Sequence, residues 1–506
     1  MHVPRRLSAH GPRIALGASL ALLAGGCVTA PTSAPTVETV AEETLGLGSA
    51  ARAPVDPQWW KGFGDRQLDA LIDEALAHNP TLDEALSRVR AAQAQAQAVG
   101  APLRPGLTLD GQEVRQRLSE NYTAPPRSLG FPAGGGGTYW VGQLAVNLNW
   151  DLDFWGRQAS LLKASQAQQR AADLDVAAAR LALSGAIAQA YVDLYRAYAL
   201  ADVADAAIAQ RQALLKLAQS RVRAGLDNEL DQRTAEALLP QAKLARLQAD
   251  DARELAVHRL AALAGHGADY YAQIQRPQIQ LDTALPLPDA LPIDLLAHRP
   301  DVLAARARVD ATRAGSEAAR AAFYPDISLN AFAGFQSVGL DQLFDAGSRV
   351  YGAGPTLHLP IFDSQRLKAK YHGATADLDA AVAAYNDAVL GAVHDVSDQL
   401  SRRDSLLLQR EQAQQTLQAA RKALALASSR YRAGLATQRA ALDAESQVLS
   451  SERDLISVES ALVIARVSLL LTLGGSFEPP ADAVADDAAP SPSSLSSAAA
   501  VAGAAS

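Results

Sequence analysis

Side chains patterned for catalysis are absent. No Gly-x-Ser-x-Gly, no His-Glu-x-x-His and no Walker-type phosphate loop occurs. The nine histidines are scattered without metal-ligand spacing. No catalytic residue, cofactor or metal site is therefore expected, which disfavours a lipid-anchored hydrolase. Two chemistries remain. One is the thiol of Cys27, the only cysteine, which cannot form a disulfide within the chain. The other is a set of carboxylates beside a pattern written twice. Asp227, Glu229 and Asp231 follow Arg221-Val222-Arg223-Ala224-Gly225-Leu226, and Asp443 follows Arg430-Tyr431-Arg432-Ala433-Gly434-Leu435, 209 positions later. A solvated acidic helix start, favoured by the helix dipole, accounts for Asp227 and Glu229.

Cys27 ends an export signal. Arg5, Arg6 and Arg13 precede an apolar run from Ile14 to Ala24, then Gly25-Gly26. Basic, apolar and small-residue regions in that order make a secretory signal. The run is too short for a spanning helix, which takes about 20 residues. Leu23-Ala24-Gly25-Gly26-Cys27 resembles a bacterial lipobox, with Ala24 where Leu is preferred. Val28 rather than Asp follows, which implies the outer membrane. Residues 1–26 are thus expected to be removed, Cys27 acylated, and 27–57 to form a flexible tether. A net charge of −8 argues against a nucleic-acid partner. The only Met is Met1, so a thioether relay for soft metal ions is absent from the mature chain. After the signal no apolar stretch of transmembrane-helix length is expected, so any membrane crossing must use strands.

The surroundings of the repeated stretch repeat too. Glu236 and Glu445 are 209 apart; Leu76-Ala77-His78-Asn79-Pro80 matches Leu296-Ala297-His298-Arg299-Pro300 at 220. Leu263-Ala264-Gly265 and Leu473-Gly474-Gly475 close the halves. This reads as a duplication: a first repeat over 58–270, a linker over 271–288 and a second repeat over 289–477. Each copy is expected to open with a short helix, Gln67 to Ala77 in the first. A second helix starts at Pro80 or Pro300 and ends before Pro102 or Pro325.

The period then changes to two. Leu144, Val146, Leu148, Trp150 and Leu152 alternate with Gln143, Asn147, Asn149, Asp151 and Asp153, and Ile327, Leu329, Ala331, Ala333 and Phe335 behave likewise. Four strands follow, at about 105–116, 138–153, 326–338 and 349–362. Gly134 to Gly137 falls in a loop. Tyr139, Trp140, Trp150, Trp155, Tyr324, Tyr351 and Phe362 gather at strand ends, as in the girdles of membrane barrels.

Long helical hairpins come next, at about 158–265 and 364–475. Leu174, Ala178, Leu181, Gly185, Ala188, Val192 and Tyr195 form a heptad seam, as do Leu378, Val382, Tyr385, Val389, Ala392 and Val396. Gly225 and Gly434 end the outgoing helices, so each RAGL is the bend at a hairpin tip.

Four strands cannot close a membrane barrel, since single-chain barrels begin at about eight. Two chains give eight strands, a barrel filled by its own side chains. Three chains give twelve, the smallest number here that leaves a bore. The expected fold is a mixed α/β membrane protein with two tandem repeats per chain. Its homotrimer would form a twelve-stranded transmembrane β-barrel, four strands per chain, continuous with a long α-helical coiled-coil barrel.

Several short pieces carry a family resemblance. They are Trp59-Trp60 with Phe63-Gly64-Asp65, Leu152-Asp153-Phe154-Trp155-Gly156-Arg157, Arg299-Pro300-Asp301, Ala322-Phe323-Tyr324-Pro325 and Leu473-Gly474-Gly475. In this order, over about 55–478, the chain resembles the TolC-type outer-membrane efflux channels, specifically their NodT-like lipoprotein branch. Departures are Arg306, where the family often has Glu, and Gly474-Gly475-Ser476-Phe477 for its terminal Gly-Gly-Gly-Trp. The tail over 478–506, rich in Ala, Pro and Ser, reads as disordered.

The resemblance implies a passive conduit, lipid-anchored in the outer membrane and reaching into the periplasm. Its partners would be a periplasmic adaptor and an inner-membrane pump, of the RND type in keeping with small toxic cargo. A type I protein-secretion exit and a lipid-anchored coiled-coil scaffold are the alternatives. The tips, Arg221, Gly225, Leu226, Arg430, Gly434 and Leu435, would dock the adaptor. The resemblance also puts Asp231 and Asp443 at the periplasmic aperture. It makes Tyr431 a latch between hairpins, through Asp231, and gives Ala436 where some relatives have a latching arginine.

Overall fold

A computed structural model describes residues 35–48, 55–117, 138–281, 292, 294–360 and 363–478. Cys27, Phe362, the loop over 134–137 and the tail after 478 lie outside the described residues. In chain order the elements are α1 (Arg66–His78), α2 (Pro80–Gly100), β1 (Gly106–Arg117), β2 (Thr138–Asp151), α3 (Arg157–Arg223) and α4 (Glu229–Leu263). Then come α5 (Pro300–Ala321), β3 (Asp326–Val338), β4 (Arg349–His358), α6 (Ser364–Arg432) and α7 (Gln438–Thr472). The chain divides into two compact units that are not sequential. One holds Met1–Glu38, Val89–Arg170 and Arg306–Ala384; the other holds Thr39–Arg88, Ala171–Ala305 and Tyr385–Ser506. Each unit thus draws on both halves of the sequence.

The first unit contains an antiparallel sheet in the order β1-β2-β3-β4. Its register decides what alternation alone leaves open. Leu107 lies opposite Leu148, Leu148 opposite Ala331, and Ala331 opposite Ala353. Leu109, Val146, Ala333 and Tyr351 form the next such row. Residues directly opposite share a face, so the central apolar rows, alternate residues Leu144 to Trp150 of β2 and Leu329 to Phe335 of β3 with Leu107 and Leu109, fall on one side, which also carries Glu113, Arg115 and Arg349 toward one end. The other side is mainly polar, with Thr108 opposite Asn147 and Gln143 opposite Gln336, and it also holds Val114, Val141, Phe332 and Val338. There Asn147 donates to Asp110 at 2.7 Å and Asn330 to Thr356 at 2.8 Å. β4 stops at His358, short of the expected 362, before Pro360, which has no N–H for a ladder.

The segment after β2 turns sharply into α3. Asp153 adopts φ +44° and Gly156 φ +69°. The Asp153 carboxylate accepts from the N–H groups of Gln158 and Ala159, at 2.8 and 2.7 Å, capping the helix. Trp155 stacks on Tyr324 with centroids 4.7 Å apart and donates to Pro325 O at 2.9 Å. Thr36 donates through its N–H and hydroxyl to Asp379, at 2.9 and 2.8 Å. At Thr36, Val37 and Val40 the expected tether is therefore pinned to α6 rather than free.

In the second unit Trp59, Trp60 and Phe63 enter a buried cluster with Ile187, Tyr191, Val463, Val467 and Leu470. Asp65 caps α1 by accepting from Gln67 N–H and also accepts from the Tyr191 hydroxyl at 2.7 Å. Burial and that hydrogen bond to Asp65 push the Tyr191 phenol far above its usual range. Alanines repeat every seven residues along α4, at 235, 242, 249 and 256, all buried. Small seam residues let paired helices approach closely. In the seams expected from sequence, Ala188, Val192, Leu378, Val382, Val389, Ala392 and Val396 are buried, while Leu174, Leu181 and Tyr385 are half-buried.

The short helix expected at the start of the second half falls largely outside the described residues; the described part there ends in a 3-10 turn, Leu296–His298. One expectation is corrected: α7 is long and apolar enough to cross a membrane, with a window of mean hydropathy 1.8. Val463, Val467 and Leu470 spend that apolarity in the buried cluster.

The helix ends explain two further motifs. Gly265 and Gly474 have φ +83° and +89°. A Cβ there would lie 2.9 Å from His78 O and 1.9 Å from His298 O. The next residues, Asn79 and Arg299, donate to Leu263 O at 2.8 Å and Thr472 O at 3.2 Å. Each satisfies a carbonyl that a helix C-terminus leaves unpaired. Arg299 also pairs with Asp301 at 2.7 Å and Asp395 at 3.4 Å.

Candidate functional site

Both RAGL stretches adopt one turn. Leu226 N–H donates to Arg221 O at 2.9 Å and Gly225 N–H to Val222 O at 3.0 Å. Leu435 and Gly434 repeat this with Arg430 O and Tyr431 O, at 2.8 and 3.0 Å. With φ +70° at Gly225 and +75° at Gly434, each is the doubly bonded helix cap that a left-handed glycine permits. Leu226 and Leu435 stand 66% and 73% exposed, and Arg430 is exposed as well.

Arg221, expected among the adaptor-docking residues of the tip, is built into a cluster between the hairpins. It donates to Asp227 through Nε at 2.8 Å and Nη2 at 3.1 Å. The Tyr431 hydroxyl donates to the same carboxylate at 3.1 Å. The guanidinium also lies 5.0 Å from the Tyr431 ring centroid. Tyr431 is only 2% exposed, and the Asp227 side chain 11%. The Arg221 guanidinium holds the Asp227 carboxyl below its usual range. Burial, then the hydrogen bond to Asp227, pushes Tyr431 up to about 12. At ordinary pH the cluster is therefore a cation, an anion and a neutral phenol, joined by charge-assisted hydrogen bonds.

Asp231 is not the acceptor for Tyr431 in this chain. Asp227 lies in the turn, two residues past Gly225, and folds back against the last turn of α3. Asp231 lies in the first turn of α4, where its N–H is capped by Asn228 Oδ1 at 3.0 Å. Asp443 is separate again: its side chain is 74% exposed, with Arg439 Nε 3.8 Å away. A signal for Asp227 existed in the sequence. At the same repeat position the second copy has Ala436, and Tyr431 is matched by Val222. The cluster is made where the copies differ.

A sheet with one face apolar through its central rows and the other mainly polar, together with long glycine-capped helical hairpins, defines an outer-membrane channel of the efflux class. The chain matches the outer membrane efflux protein family over residues 71–266 and 291–475, and it belongs to that family. It is similar to the solved outer membrane protein VceC of Vibrio cholerae, with a TM-score of 0.78 and 34% identity over 84% of this chain and 100% of that one. It is 34% identical over 467 residues to outer membrane protein OprJ of Pseudomonas aeruginosa, covering 91% of this chain and 95% of that protein. It is 32% identical over 430 residues to the multidrug resistance outer membrane protein MdtP of Escherichia coli K12, covering 83% and 86%.

Proposed function

We propose that three copies close one twelve-stranded barrel through the outer membrane, while the hairpins reach into the periplasm and constrict at their tips. The carrying observation is the sheet, with one face apolar through its central rows, a mainly polar reverse and two outer strands, β1 and β4. An open strand edge is a template for further pairing. Because four strands alternate in direction, β4 of one copy runs antiparallel to β1 of the next, so closure repeats the pairing already within the chain. Hydrocarbon takes the apolar face, and the polar rows line a wet bore.

In this reading the protein is a passive exit, supplied through a periplasmic adaptor by an inner-membrane pump of the RND type. The adaptor meets the exposed tip leucines, Leu226 and Leu435. Kinship with a multidrug resistance protein supports small toxic compounds as cargo rather than secreted proteins. Cross-linking in outer-membrane fractions tests the assembly: trimers are expected, and cross-linking that ends at a dimer removes the barrel.

A further inference from the structure

Matching positions in the two hairpins meet opposite fates. Gln438 and Glu445 of α7 stand 209 positions after Glu229 and Glu236 of α4. In the first hairpin both acids pair with Arg233, at 3.1 and 2.8 Å, on an accessible helix face. In the second, Gln438 is 3% exposed and Glu445 wholly buried. Neither amide atom of Gln438 nor either oxygen of Glu445 has a protein hydrogen-bond partner. Across from Glu445, Arg211 is 5% exposed, at a seam position of α3 that Ala197, Ala204 and Ala218 fill elsewhere. Its Nε lies 3.3 Å from Glu445 Oε1, its Nη2 donates to Ser446 at 3.1 Å, and its Nη1 bonds no protein group.

Polar groups buried without hydrogen bonds cost free energy, and a buried ion pair often fails to offset its own desolvation. Here the cost arises while α3 and α7 are packed and ends when water reaches the seam. A cavity of about 230 Å³, lined by Leu214, Leu217 and Leu424 as well as Ser428, reaches from Glu445 to Tyr431.

We propose that Arg211, Gln438 and Glu445 are positioning residues of the gate, a buried polar seam that opposes the Tyr431–Asp227 latch and keeps closed and open arrangements close in free energy. This rests on the conduit reading above. Arg211 of α3 is the charged group against Glu445, and the cavity that Glu445 lines is shared with Gln210 of α3 and with Ser428, Tyr431 and Arg432 of α6, among leucines and alanines. Burial outweighs the pull of Arg211 and holds the Glu445 carboxyl above its ordinary value of 4.5. The closed arrangement therefore binds the proton more tightly than a hydrated open one. Falling pH favours closure, in the window between the raised value and 4.5.

The test is open probability of the full-length protein in planar bilayers between pH 7.5 and 5. Wild type should close as pH falls. Arg211→Leu with Glu445→Leu should open at least about fivefold less often at pH 7.5, with no pH response in this range. Gln438→Leu, which removes no charge, should also lower opening, and it decides the matter if the double variant fails to assemble. Variants that open as often as wild type, with its pH response intact, overturn the proposal. A wild-type trimer that never conducts removes the conduit reading, and this proposal with it.

Discussion

The Tyr431 hydroxyl and the Asp227 carboxylate meet at 3.1 Å, joining the last turn of α6 to the bend between α3 and α4. One hydrogen bond thus ties the two hairpins together at their tips, beside the Arg221–Asp227 pair. A hydrogen bond to a charged group contributes about 1.5–3 kcal/mol when shielded. Tyr431→Phe or Asp227→Ala should accordingly raise single-channel open probability roughly tenfold. Asp231→Ala should do so far less. Equal effects at 227 and 231 would return the latch to Asp231.

Acid should act on this latch with a sign opposite to that at Glu445. The Asp227 carboxyl is held below its ordinary value of 3.8 by Arg221. Its stabilisation of the closed state is complete above that value and is lost as pH falls through the depressed one. Opening should therefore rise below about pH 4, and Asp227→Asn should remove that rise. A current that keeps falling at such pH in wild type would exclude Asp227 as the latch.

The sheet faces give a paired insertion test. Leu148 and Leu329 lie on the apolar side, Asn147 and Asn330 on the polar side. A cation near the bilayer midplane costs about 2–4 kcal/mol on the lipid face of a barrel. Leu148→Arg and Leu329→Arg should reduce heat-modifiable trimer in outer-membrane fractions, while Asn147→Arg and Asn330→Arg should insert. The reverse pattern would turn the sheet inside out.

Strand positions were legible because period-two alternation and flanking prolines such as Pro105 and Pro325 mark both kind and limits. Which side faces lipid was not. That depends on register, which sets Leu148 beside Ala331 rather than Asn330, and register is fixed by pairing between distant segments. The tips were legible through Gly225 and Gly434, whose left-handed backbone few other residues adopt. Asp227 was passed over because acids near a helix start have a sufficient local reason to be there. Arg211 and Glu445 look like ordinary surface charges until tertiary packing buries them.

Gly474 separates backbone strain from steric exclusion. Gly225 and Gly474 share a left-handed backbone, which costs a non-glycine residue about 1–3 kcal/mol. Around Gly225 a Cβ meets nothing within 4 Å, whereas at Gly474 it would strike His298 O at 1.9 Å. Gly474→Ala should therefore lower the thermal midpoint of the detergent-solubilised protein much more than Gly225→Ala. Equal losses would mean that the contact with His298 relaxes freely.

If the tips constrict as proposed, Asp443 tests the effect of charge there apart from the latch. Its side chain is 74% exposed and held only loosely by Arg439, so its carboxylate is available to ions. Threefold symmetry would set three such carboxylates around the bore, and a ring of acidic groups favours cations. Asp443→Ala should lower the cation-to-anion permeability ratio and weaken block by divalent ions added from the tip side, with open probability unchanged. Asp443→Asn should do the same, since it keeps the size and removes the charge. Arg439→Ala should move selectivity the other way by freeing the carboxylate. If selectivity and block survive in all three variants, the charged constriction lies elsewhere along the bore.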